Sequence, residues 1–212
     1  METSAQRPEK TPLPHWRVWL MEHIWPQIHA MMLRDAYFKL FGCVNNLTGN
    51  FNGPFSELVI SGYVSNQTVA IRRLCDNRRD VISLRRLLEE VKRNDFVPEV
   101  RIRLLLNLLD NCDYVCGMVN NHIAHTSRSL DTNPWSLQNT HIVEAQKSIC
   151  KVAQAITRDT QKTAFAHIIP VVQYDFMREF RTMVPTEDVK KLSDFWHSHS
   201  ATVDLWCDEP LS

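Results

Sequence analysis

The stretch from Pro98 to His125, PEVRIRLLLNLLDNCDYVCGMVNNHIAH, decides the fold class. Over its length its apolar residues recur at spacings of three and four, which is helical rather than strand periodicity. At about 100° per residue, Ile102, Leu105, Leu109, Cys116, Val119 and Ile123 gather on one side of a helix. Tyr114, Met118, Asn121, His122 and His125 gather on the other. The first half is apolar on most sides, as in a helix packed by several neighbours. The spacing therefore predicts one long central helix, opened by Pro98 and ending in a mixed aromatic and polar patch. His125 points away from the helix's own apolar stripe, and the company it keeps is more typical of an interface than of a fully solvated face.

Working outward, the other segments follow the same period. A first helix is expected from Trp16 to Asn46, bent or restarted at Pro26, which has no N–H to give a helix interior. The turn formers of NNLTGNFNGP (45–54) make a loop. A second helix then starts at Pro54, with Ile60, Val64, Ile71 and Leu74 as its stripe. CDNRRDVIS (75–83) interrupts the pattern, and Asp80 or Ser83 caps a short helix LRRLLEEVKRN (84–94). TSRSLDTNP (126–134) is a loop, a fifth helix spans Leu137 to Thr160, and a sixth is placed around Ala164 to Phe180. Only five glycines occur, no strand candidate appears, and there is no internal repeat. The expected architecture is an all-α, single-domain bundle of about five to six helices over residues 16–182. Residues 1–15 read as a disordered lead-in, and residues 183–212 as an acidic tail with at most partial helix. Trp16, Trp19 and Trp25 are expected to cover the bundle or dimer surface.

A chain of 212 residues can bury a core without disulfides or metals, and its zero formal net charge makes no whole-molecule case for nucleic acid. The charge is unevenly spread, however. From Arg72 to Arg103 basic residues outnumber acidic ones ten to six, and from Arg181 onward acids lead six to three. The six cysteines form no CxxC pair, and most sit in apolar helical patterns. They read as small core residues in a reducing cytosol, with no zinc site. No apolar run approaches the ~18 residues of a membrane span, and no signal-peptide core follows the N-terminus, so a cytoplasmic protein without a membrane partner is expected. His197 and His199 lie two apart in an expected exposed tail, without a paired carboxylate cluster or a neighbouring Cys to complete a metal site.

Two segments carry a family resemblance. AIRRLCDNRRDVISLRRLLEEVKRN (70–94), followed one helix later by YVCGMVNNHIAHTSR (114–128), resembles the HEPN fold (higher eukaryotes and prokaryotes nucleotide-binding). Within it the chain is most similar to the AbiU-like abortive-infection branch. The resemblance spans roughly Val18 to Asp159 and rests on an arginine-bearing helix, a short Leu-rich helix, and a long helix ending in Asn-x-x-x-His. It implies a homodimeric helical bundle acting on RNA, with a metal-independent endoribonuclease site at the dimer interface. Phage defence or a toxin–antitoxin system with a cognate antitoxin is the implied setting, and no cofactor or metal is implied. His125 matches the motif histidine, and Asn121 the polar residue that often follows the motif arginine. Asn120 stands where that arginine is expected.

In the implied chemistry a ribose 2′-hydroxyl attacks the adjacent phosphate, histidine moves protons, and arginine offsets charge on the phosphorane. Asn120 brings a hydrogen-bond donor without charge. His122, about 60° from His125 on the wheel, is a candidate second acid or base. Arg72, Arg73 and Arg128 are candidates to supply the missing charge and hold RNA, and Arg78, Arg79, Arg85 and Arg86 to extend a phosphate track. The alternative is a catalytically degenerate HEPN domain that binds RNA, nucleotide or a protein partner. A plain helical dimerisation module is the reading from another class.

Overall fold

The computed structural model describes residues 14–51, 53–119, 139–161, 164, 167–169 and 180–208. Among these, every regular element is helical, and the fold is an all-α bundle. The helices are α1 (His15–Val18), α2 (Trp25–Thr48), α3 (Pro54–Cys75), α4 (Leu84–Arg93), α5 (Glu99–Asp110), α6 (Asp113–Met118), α7 (Asn139–Gln161) and α8 (Val189–Trp206). A π-helical turn, Trp19–Ile24, joins α1 to α2. No described helix is long and apolar enough to cross a membrane.

Local chemistry explains the boundaries. Pro26 sits in the first turn of α2, where its missing N–H is harmless, and the wider π turn just before it takes up the restart. Gly49 ends α2 in the left-handed region (φ 66°), and its N–H bonds the Asn45 carbonyl at 2.8 Å. Pro54 opens α3, as expected.

Of the two candidate caps, Ser83 is the one used for α4. Its Oγ accepts the Arg86 N–H at 3.2 Å and donates to the Asp76 carbonyl, so one buried hydroxyl ties the end of α3 to the start of α4. Ser83→Ala should cost about 1–2 kcal/mol, the usual worth of an N-cap. The check is a lower urea midpoint with an unchanged denaturant slope. The α4 pattern then follows: Leu84, Leu87, Leu88 and Val91 are buried, while Arg85, Arg86 and Glu90 are partly buried and held in ion pairs.

The long helix expected from Pro98 onward is instead broken. It stops at Asp110 and resumes at Asp113. Asn111 Nδ2 turns to donate to Ser148 Oγ at 3.1 Å, and the Cys112 N–H tightens onto Leu109 O at 3.0 Å. Arg85 of α4 bridges Asp110 (3.0 Å) and Asp113 (2.8 Å) across the break. The rotation this introduces buries Met118, expected on the polar side, while Tyr114 remains 48% exposed.

The centre of the bundle is α7, not the Pro98 segment. It packs against α2, α3, α4, α5, α6 and α8 and buries residues on nearly every side, including Gln146, Ser148, Gln154 and Thr157. Three other expectations also change. Trp16 and Trp25 lie in the core, with Trp25 Nε1 donating to Thr157 Oγ1 at 2.9 Å. Ile60 is 46% exposed, and the buried face of α3 runs through Tyr63, Gln67, Ile71 and Leu74. In the C-terminal region, α8 buries Leu192, Trp196, Val203 and Trp206 and packs on α2 and α7, so His199 is not on an exposed tail. Of the segment expected as a sixth helix, Ala164 and residues 167–169 are not helical, Phe180 is, and 165, 166 and 170–179 lie outside the described residues. All six cysteines are free thiols, four of them buried.

Candidate functional site

Asn120, Asn121, His122, His125 and Arg128 lie outside the described residues, so the geometry reaches the expected site only from its flank. That flank is the junction of α3, α4 and α6. Arg72, one turn from the end of α3, holds Asp76 at 2.7 Å, and Arg78 reaches the same carboxylate at 3.1 Å. Burial works to raise the Asp76 pKa, but the hydrogen bonds from Arg78 and Arg72 outweigh it and hold the carboxyl below its usual range.

Arg72 also bears on Cys116 of α6. The Cys116 thiol is lowered by a hydrogen bond with Cys75 and then by the charges of Arg72 and Arg85, against burial and Asp113. Cys75 is correspondingly raised by its bonds to Cys112 and Cys116 and by its own burial. Arg72 therefore lies beside the helix whose sequence runs on through Val119 into Asn120.

Arg73 turns away from Arg72, as a helical step of about 100° requires. It lines surface concavities with Arg34 and Asn66 on one side and with His23 and Asp76 on another. The rest of the basic stretch is largely neutralised. Arg85 and Arg86 both hold carboxylates, as do Lys92, Arg93, Arg101 and Arg103. Between Arg72 and Arg103, only Arg73 and Arg79 lack an ion pair with a described carboxylate. A continuous phosphate track through Arg78, Arg79, Arg85 and Arg86 is not what this arrangement offers.

A second polar centre, not anticipated from the sequence, lies inside the bundle. Asp35 of α2 is fully buried. Its Oδ1 accepts Tyr63 Oη at 2.5 Å and Gln146 Nε2 at 3.3 Å. Its Oδ2 faces Lys39 Nζ at 2.8 Å and His199 Nε2 at 3.3 Å. Gln146 Nε2 also reaches Gln67 Oε1 at 3.1 Å, and Gln67 donates in turn to the Met31 carbonyl at 3.1 Å. Four helices, α2, α3, α7 and α8, thus converge on one carboxylate.

Burial would raise the Asp35 pKa, yet His199, Lys39 and Tyr63 together bring it down to about 2. The Tyr63 phenol moves the other way, raised by burial and by the Asp35 charge it donates to. This centre is ionised, hydrogen-bonded and closed to solvent. It is a structural anchor, since a reactant has no route to Asp35. A signal did exist in the sequence: Asp35 falls on the apolar phase set by Ile28, Met31 and Met32, where a surface carboxylate does not belong. It was masked by Lys39 four residues on, which reads as an ordinary surface pair.

No group of three or more His, Cys, Asp or Glu side chains among the described residues is placed to hold a metal ion. His197 is exposed while His199 turns inward to Asp35, so the two do not converge.

No family model, curated protein or solved structure matches this chain. The functional reading therefore rests on the resemblance of residues 70–94 and 114–128, together with the chemistry of the residues and the geometry of the flank.

Proposed function

We propose that this chain is a HEPN-type, AbiU-like protein that acts on RNA. His125 serves as the acid/base of a metal-independent transesterification, with His122 beside it in sequence. Asn121 and Asn120 position the phosphate, and Arg72 and Arg128 supply positive charge. The biological setting proposed is phage defence or a toxin–antitoxin pair, with a homodimer as the working unit.

The observation that supports this reading best is the setting of Arg72. It is anchored by Asp76 and lies within electrostatic reach of Cys116, on the helix leading in sequence to Asn120. Arg72 is proposed as the source of the charge that Asn120 lacks, with Asp76 as its resting partner. The second reading is a degenerate domain that binds RNA or a partner without cutting. It is favoured by the ion pairs that occupy most of the basic stretch.

RNA binding measured against salt tests both. With only a few free arginines, about two or three phosphates are neutralised, and log K should fall with log salt at a slope of roughly −1.5 to −2 for a single strand. Arg73→Gln should make that slope shallower by about 0.7, one phosphate contact. Absence of measurable RNA binding at low salt would overturn both RNA readings and leave a protein-interaction module.

A further inference from the structure

A cavity of about 440 Å³ opens between α2 and α3. Tyr37, Phe38, Phe41, Phe51 and Phe55 line it, together with Phe180 and Met183. The rings contact one another: Phe41 and Phe51 have centroids 5.1 Å apart, and Phe51 and Phe55 5.9 Å. Phe55 nonetheless remains 53% exposed. A volume of this size is in the range of small-molecule sites, which are mostly apolar with a few placed polar groups.

The polar groups here are few and specific. Tyr63 and Gln67 reach the cavity wall, but their polar atoms are committed to Asp35, Gln146 and the Met31 carbonyl. That leaves Arg34 and Asn66 at the mouth, with Arg34 Nη1 donating to Asn66 Oδ1 at 3.0 Å. Arg34 is exposed and has no ion pair with a described carboxylate. Arg34, Gly62 and Asn66 also line the adjoining groove that ends at Arg73, a second cation without a described carboxylate partner. Gly62 lines both spaces, and a Cβ added there would meet nothing within 4 Å.

An aromatic-walled cavity with one unneutralised guanidinium at its mouth has the chemistry of a receptor for an amphipathic anion. We propose that it binds a small aryl or acyl anion, with the apolar body among the rings and the carboxylate or sulfonate on Arg34. The charge–hydrogen-bond pairing supplies orientation, and burial of the apolar body supplies most of the affinity.

The test uses a matched pair of probes on the full chain. 8-Anilinonaphthalene-1-sulfonate should bind at one site per chain and be displaced by dodecanoate. N-Phenyl-1-naphthylamine, the same skeleton without the sulfonate, should bind about tenfold more weakly, the worth of one charge-assisted contact. Arg34→Gln should weaken the sulfonate about tenfold and leave the neutral probe unchanged. Gly62→Phe should abolish binding of both while keeping the wild-type near-ultraviolet circular dichroism, because its side chain enters open space. Equal affinity for the two probes, indifference to Gly62→Phe, or no saturable binding would each overturn the proposal. None of these results depends on whether the chain acts on RNA.

Discussion

Asp35→Ala should lower the unfolding free energy by roughly 3–5 kcal/mol, the cost of removing one partner from a buried ionic cluster. The substitution leaves Tyr63 Oη without its acceptor, removes one of the two acceptors of Gln146 Nε2, and takes away the carboxylate that His199 faces. Lys39 loses less, because its side chain is 23% exposed and its ammonium can return to water. The effect belongs to the cluster and not to packing alone. Asp35→Leu combined with Tyr63→Phe should therefore recover part of the loss, as two neighbouring polar groups are removed together.

The pH dependence carries the same signature. The folded carboxyl titrates at about 2, below its ordinary 3.8, so its contribution is present above about pH 4 and lost as pH falls through 2. That depression corresponds to about 2 kcal/mol. Wild type should thus lose stability between about pH 4 and pH 2 more steeply than the Asp35→Leu variant. Urea unfolding at pH 7, 4 and 2.5 would show it, and parallel curves for the two proteins would count against the anchor.

Why the sequence revealed some of this and hid the rest follows from the physics of each element. The α4 segment was legible to within a residue because Ser83 and the Leu84, Leu87, Leu88, Val91 spacing are local signals that tertiary contacts did not need to override. The α2–α3 loop was legible for the same reason, through Gly49 and Pro54. The break at Asn111 was not, because its cause is a bond to Ser148, 37 residues away. The central place of α7 was obscured by the polar residues it buries. Gln146 and Thr157 look solvent-facing until Asp35, Gln67 and Trp25 arrive as partners. The tryptophans were assigned to the surface on spacing alone, while Thr157 offers Trp25 a buried acceptor that spacing cannot reveal. Of the expected site, Arg72 and Arg73 are described, and they diverge. Arg72 faces the α6 helix, and Arg73 the groove shared with Arg34.

The second large effect concerns that site. His125→Ala should slow RNA cleavage by about 10²–10⁴-fold, the range for loss of a positioned acid or base. The fold should be unaffected, since His125 follows the α6 segment in sequence and the Asp35 anchor lies on other helices. Asn120→Arg should act in the opposite direction. It restores a charged donor to a position where an uncharged one stands, and one preorganised transition-state donor is worth about 10²–10³ in rate.

Cleavage of total RNA in the presence of EDTA, by wild type and His125→Ala side by side, tests the central claim most directly. The account predicts cutting by the wild type that leaves 2′,3′-cyclic phosphate ends, and its loss in the variant. Equal cutting by the two proteins, or negligible cutting by both, would contradict it.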